Sequence, residues 1–400
     1  MTTATLSPHD LAIDHEVAQL TERYRFLLDV TPVDVEENRM SFLGGETAEP
    51  RFRYRALEDD PDVIDEMLAA IDVGAVQDPT LGHLLRAKHR ELELQVAMLR
   101  ARGSDDFLPL SLELYGAVSP SLLARAETLL ANVKLTSPSD GDDGDDDTRA
   151  GDGRVDAKAF AALAETELAH YRTVAPDIGA HVEVRPDVNG VMVAGGDLIV
   201  GQTFSVAGRR VHALLQHEVG THLVTYLNGS RQPIRVMAAG LAGYDATQEG
   251  LAVLAEHLVG GLSSFRLRQL AARVVAVHEM TTGRTFAEVH RRLVDEGFSA
   301  ATAFTVTMRV FRSGGLTKDA IYLRGLLELV EHLVRGGTLD LLWTGKVALD
   351  DLPLVADLME RGVLVEPVLL PRFLHDAAAL ERLRTVATIS DVADLIERTT

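Results

Sequence analysis

The 400-residue chain contains no cysteine. Disulfides and thiolate metal sites are therefore excluded, and any metal must be held by His, Asp or Glu. No stretch reaches about 18 uninterrupted apolar residues, so no membrane-spanning helix is expected. The first residues, MTTATLSPHDLAIDHEVAQL, lack a basic start followed by an apolar run and do not read as a signal peptide. Positive charge is scarce: 39 Lys and Arg stand against 60 Asp and Glu, a net charge of −21. That balance argues against nucleic acid and against a membrane surface as partners. A cytoplasmic location is the simplest expectation.

What is present supports large cores, since 46% of the residues are hydrophobic. Apolar residues recur at three- and four-residue spacing over Pro8–Val30, Asp62–Asp72, Pro79–Arg102 and Leu110–Leu130, which predicts helices. Residues 137–154 (SPSDGDDGDDDTRAGDGR) are different and read as a solvated insertion. The calcium-loop pattern is not met there, because Gly144 and Gly151 stand where ligands are needed. Val155–Val174 again reads as a helix. The period then changes: His181–Val184 alternates, and Gly190–Gly201 reads as two short strands around a Gly-Gly-Asp turn. From Leu262 onward helical patterning dominates. The expected organisation is a helical N-terminal region (1–136), the acidic insertion (137–154) and a catalytic domain (155–400).

The chemistry concentrates in VHALLQHEVGTHLVTYLN, residues 211–228. His217 and His222 flank Glu218 and Gly220, offering two neutral metal ligands and a base. The familiar zinc-hydrolase spacing puts the histidines at i and i+4. Here the second lies at i+5, which on a regular helix is about 500°, or roughly 140° off the first. The two rings can share one metal only if the helix is locally widened around Val219–Thr221, as in a π-bulge. Gly220 would permit that distortion.

A catalytic zinc needs a third protein ligand and an open position. Glu249 is the best candidate, on a helix expected from Ala246 with Thr247 as a possible cap. One Zn²⁺ would then be held by His217, His222 and Glu249. Glu218, turned about 100° from His217, would be the general base. His212 is a rival ligand without a neighbouring acid. Glu256 is either a residue that orients a ligand histidine or an ordinary surface charge.

The segments QHEVGTH (216–222), NGSRQP (228–233) and QEGLA (248–252) together resemble the bacterial QEGLA-motif proteins, a domain of unknown function. These are related to the microtubule-associated tyrosine carboxypeptidases, H-E-x-x-x-H enzymes that remove the C-terminal tyrosine of α-tubulin. The resemblance implies a zincin-like metallopeptidase core with a small β-sheet inside a predominantly helical α+β fold. It assigns His217, His222 and Glu249 to the metal and Glu218 to catalysis. It also draws attention to GGLTKDAIYLRG (314–325), where Tyr322 could stabilise an oxyanion and Lys318 or Arg324 could bind a substrate carboxylate. Arg231 and Arg235 are further candidates for that role. The implied reaction is metallocarboxypeptidase hydrolysis of a peptide or peptide-like substrate. A zinc amidase acting on a small metabolite, or a regulatory protein with a structural metal, are the alternatives. The −21 charge disfavours an acidic tubulin tail as the target. Nothing in the sequence sets the oligomeric state.

Overall fold

The structure is a computed structural model and describes residues 6–396, except 24, 48, 135–152 and 189. The acidic insertion, apart from Gly153 and Arg154, lies outside the described residues. Helices predominate, and two small sheets complete an α+β chain.

Capping residues start the helices. Asp60, Asp78 and Ser119 each accept a backbone N–H of the first turn, with proline following, at helices Pro61–Ala70, Pro79–Arg100 and Pro120–Asn132. Two helices expected to be continuous are broken. The first splits into Pro8–Arg23 and Phe26–Asp29. The stretch Leu110–Leu130 becomes part of Phe107–Tyr115 and Pro120–Asn132, bent by 89°. Gly116, at φ 80°, ends one helix and Ser119-Pro120 begins the next. Among the described residues no single helix is long and apolar enough to cross a membrane.

Strand β1 (Arg154–Asp156) pairs antiparallel with β5 (Ser205–Ala207). That pairing takes the first residues of the helix expected at Val155, which runs instead from Ala157 to Val174 behind an Asp156 cap. Between them, β2 (Val182–Arg185), β3 (Val191–Ala194) and β4 (Asp197–Gly201) form a sheet of order β2-β4-β3. The β3–β4 hairpin turns at Gly195 and Gly196, both at positive φ as such tight turns require. Leu198 and Val200 of β4 share an apolar cluster with Val211, Leu215, Val219 and Leu223. The sheet thereby supports one face of the helix that carries His217 and His222.

A second, larger core runs from the N-terminal helices to the C-terminal ones. Its polar ties grip the connection between the two candidate ligand helices. Asp14 accepts the backbone N–H of Arg235 (2.5 Å) and Val236 (3.0 Å). Glu91 accepts that of Gly243 (2.8 Å). The N-terminal helices thus hold the loop that sets Glu249 against the histidines.

Candidate metal centre

The helix carrying the histidines is widened where the spacing requires it. Val211–His217 is α-helical, Glu218–Leu223 is π-helical, and Val224–Gly229 is α-helical again. The Thr221 hydroxyl donates to the Gln216 carbonyl five residues back (2.9 Å), closing the larger turn. A Cβ on Gly220 would lie 2.4 Å from Gln216 Oε1, so a larger residue there would have to displace the end of the buried Gln216 side chain. The extra residue per turn puts the two imidazoles together, with ring centroids 5.1 Å apart.

Glu249 arrives from helix Tyr244–Leu258. This helix starts earlier than expected, behind Gly243 at φ 70°. Thr247 is not its cap: it is buried inside, and its hydroxyl accepts the Leu349 N–H (2.9 Å). Glu249 Oε2 lies 3.8 Å from Nε2 of His217 and 3.8 Å from Nε2 of His222. The potential ligand atoms of the three residues all fall within 4.8 Å of one another. Bonds of about 2.0 Å in a tetrahedral site put neighbouring ligand atoms roughly 3.3 Å apart, so small side-chain adjustments would complete it. Two imidazole nitrogens and a carboxylate oxygen, with one position left, suit a catalytic zinc. Glu218 Oε1 lies 3.9 Å from His217 Nε2, beside the cluster. His212 is exposed and takes no part in the cluster.

The far ring nitrogens are held by other groups. His217 Nδ1 sits 2.9 Å from Glu256 Oε1, and Arg210 and Arg266 lie 2.7 and 3.3 Å from the same carboxylate. His222 Nδ1 faces Gln248 Oε1 at 3.4 Å, an oxygen that also accepts the Thr225 hydroxyl (2.9 Å). Both imidazoles therefore turn Nε2 toward Glu249. Burial opposes a charge on Glu256, but the two guanidiniums and His217 hold it well below the ordinary carboxylate range. Burial also opposes a proton on His217, yet Glu256, Glu218 and Glu249 raise its pKa. Burial pushes Glu218 up to about 7 and His222 down to about 4.

The remaining candidates separate. Tyr322 lies on helix Ile321–Val334, and burial first, then the negative charge of Glu249, hold its hydroxyl protonated. Lys318 is buried and paired with Asp245 (2.6 Å). Arg324 donates to the Tyr115 carbonyl (2.9 Å). Arg231 pairs with Asp177 (2.7 Å), and Arg235 donates to the Ser230 carbonyl (3.2 Å). The three arginines thus have other acceptors: the end of a neighbouring helix for Arg324, a loop aspartate for Arg231 and the adjoining turn for Arg235.

Several residues near the centre carry no local sequence signal. Gln248 was visible beside Glu249 but had no partner to mark it. Arg210, Arg266, Arg273, Arg309, Arg312 and Lys346 gave no local signal, since packing across helices brings them near. Lys346 stacks on Tyr226 and Tyr244 at 5.2 and 5.6 Å, and burial lowers its pKa to about 8.

The family model for the microtubule-associated tyrosine carboxypeptidases matches residues 41–390. The chain is 30% identical over 187 residues to microtubule-associated tyrosine carboxypeptidase 1 of Mus musculus, covering 44% of this chain and 38% of that protein. It is 29% identical over 180 residues to the Rattus norvegicus protein, covering 42% and 36%. The aligned part thus spans less than half the length of these curated relatives. A solved chain from Colwellia psychrerythraea aligns over 88% of this chain and 69% of its own with a TM-score of 0.43 and 11% identity, too slight a likeness to bear on fold or function. By the extent of the family match, this chain belongs to the microtubule-associated tyrosine carboxypeptidase family.

Proposed function

We propose that the chain is a zinc-dependent metallocarboxypeptidase that removes a residue from the C-terminus of a peptide. One observation carries the reading: His217, His222 and Glu249 converge within 4.8 Å across a π-helical turn, with Glu218 beside them. Zinc held by those three would supply Lewis acidity and a water of lowered pKa. Glu218 takes a proton from the attacking water and passes it to the departing amine. Its buried position, next to the ligand cluster and not within it, suits that traffic. Tyr322 donates its hydroxyl proton toward the negative charge that develops on the substrate carbonyl oxygen. Glu256 and Gln248 hold the imidazoles in orientation, and the Arg210 and Arg266 guanidiniums keep Glu256 ionised. The family's name supports action at a C-terminus; the −21 charge disfavours acidic tails as substrates.

Glu218→Gln is the test. The variant should retain zinc and fold while C-terminal trimming of a peptide pool, followed by mass spectrometry, falls by at least about 10²-fold. Undiminished trimming would refute the role of Glu218. Equal cleavage of C-terminally amidated peptides would point to an amidase instead.

A further inference from the structure

Three arginines, Arg273 of helix Ser264–Thr281, Arg309 of helix Ala300–Phe311 and Arg312 of the short turn after it, converge on one carboxylate. Arg309 grips Asp319 with two parallel bonds, Nε to Oδ2 at 2.5 Å and Nη2 to Oδ1 at 2.9 Å. Arg273 Nε lies 3.8 Å from Oδ2, and Arg312 Nη2 lies 3.9 Å from Oδ1. Among the described residues, Asp319 is the one carboxylate within ion-pairing distance of the three. Asp319 is fully buried, and Arg273 and Arg312 are 8% and 6% exposed. The Nε groups of Arg273 and Arg312 are buried without a hydrogen-bond partner.

Arg312 also donates Nη1 to the Thr31 hydroxyl (3.0 Å), but its Nε and that of Arg273 have no such partner. Arg309 alone satisfies Asp319 in the fork geometry that suits a carboxylate. The other two guanidiniums add surplus buried positive charge and orphaned donors, both of which destabilise. The surplus is also deliberately held. Ser313, next to Arg312, has φ 60°, the one positive φ outside glycine among the described residues. Its N–H donates to the Tyr54 hydroxyl (2.6 Å) and its hydroxyl donates to the Val30 carbonyl (3.0 Å). Such strain persists where surroundings fix it, and it gathers at functional sites.

The cluster is not wholly sealed from solvent. The Arg309 side chain is 26% exposed. Arg273 and Arg309 stand over the Tyr322 ring at 4.7 and 5.9 Å, Tyr322 feels the charge of Glu249, and the helices carrying Tyr322 and Glu249 meet closely at Gly325 and Gly250.

The geometry points to Arg273, Arg309 and Arg312, beside Tyr322, as the anchor for the α-carboxylate of the substrate's C-terminal residue. This assignment rests on the carboxypeptidase reading. The incoming carboxylate supplies the missing negative charge and accepts the orphaned N–H groups. Lys346 is the rival cation, but it is a single ammonium already stacked on two tyrosine rings and lacks the planar fork.

The test uses the full chain, as purified and after EDTA treatment. Its thermal midpoint is measured with an equimolar pool of N-acetylglycyl amino acids carrying every natural side chain at the C-terminus. The same pool as C-terminal amides, at matched ionic strength, is the control. The free acids should raise the midpoint more than the amides, with and without metal. Arg273→Gln leaves the Arg309–Asp319 pair intact, so it should fold at least as stably without ligand and lose the acid-over-amide difference. Arg312→Gln, which also removes the Nη1 bond to Thr31, should lose the difference too, and Lys346→Gln should keep it. Equal shifts for acids and amides in the EDTA-treated wild type would overturn the anchor, as would loss of the difference in Lys346→Gln alone. Because this readout needs neither metal nor turnover, an inactive Glu218 or an absent zinc leaves it standing.

Discussion

Nδ1 of His217 lies 2.9 Å from Oε1 of Glu256, a carboxylate 1% exposed and flanked by Arg210 and Arg266. That contact fixes which nitrogen of His217 faces Glu249. Glu256→Gln keeps the shape but weakens the hold on the ring. Zinc affinity should fall by about 10–100-fold, measured by competition with a chelator. An unchanged affinity would mean that Glu256 does not orient the ligand.

The histidine pair, its intervening acid and the need for a widened turn were legible in the sequence, because all are local to residues 217–222. The hairpin at Gly195-Gly196 was legible for the same reason. Apolar spacing continues across Gly116 and Ser119-Pro120, so periodicity alone hides the breaks that their turn chemistry makes. The strand Arg154–Asp156 was hidden, since it exists only through pairing with residues about fifty positions away. Lys318 and Arg324 came from the family-like segment 314–325, and Arg231 from its place just past the histidine helix. The structure gives all three nearer partners and brings Arg273 and Arg309 to Tyr322 from separate helices, a proximity no local pattern encodes.

The helices bearing Glu249 and Tyr322 touch backbone to backbone. A Cβ on Gly325 would lie 1.8 Å from the Ala246 carbonyl oxygen, and one on Gly250 would lie 2.4 Å from the Gly325 carbonyl carbon. Gly325→Ala should therefore cost about 1–3 kcal/mol in urea unfolding, as overpacking does. Gly179→Ala, with nothing within 4 Å, should change stability by no more than about 0.5 kcal/mol. Equal effects of the two substitutions would contradict the close helix contact.

Lys346 has its pKa lowered to about 8 by burial. A base whose folded pKa is depressed costs stability while it is protonated, so the cost is full below about pH 8. It fades as pH rises toward the unfolded lysine value of about 10.4, because there the unfolded chain binds more protons. Lys346→Met should stabilise the chain by about 1 kcal/mol or more at pH 7, and the gain should shrink near pH 10. Thermal melts of both proteins across that range test this. A pH-independent gain would place the ammonium in solvent.

The π-helical turn matters only if one ion bridges both sides of it. Zinc K-edge X-ray absorption of the purified chain, with metal content measured alongside, examines that directly. One zinc per chain is expected, with two imidazole nitrogens and carboxylate or water oxygens at about 2.0–2.2 Å. His222→Ala should lose one imidazole from that shell. A zinc bound by a single imidazole in the wild type, or no retained zinc, would contradict a shared site for His217 and His222.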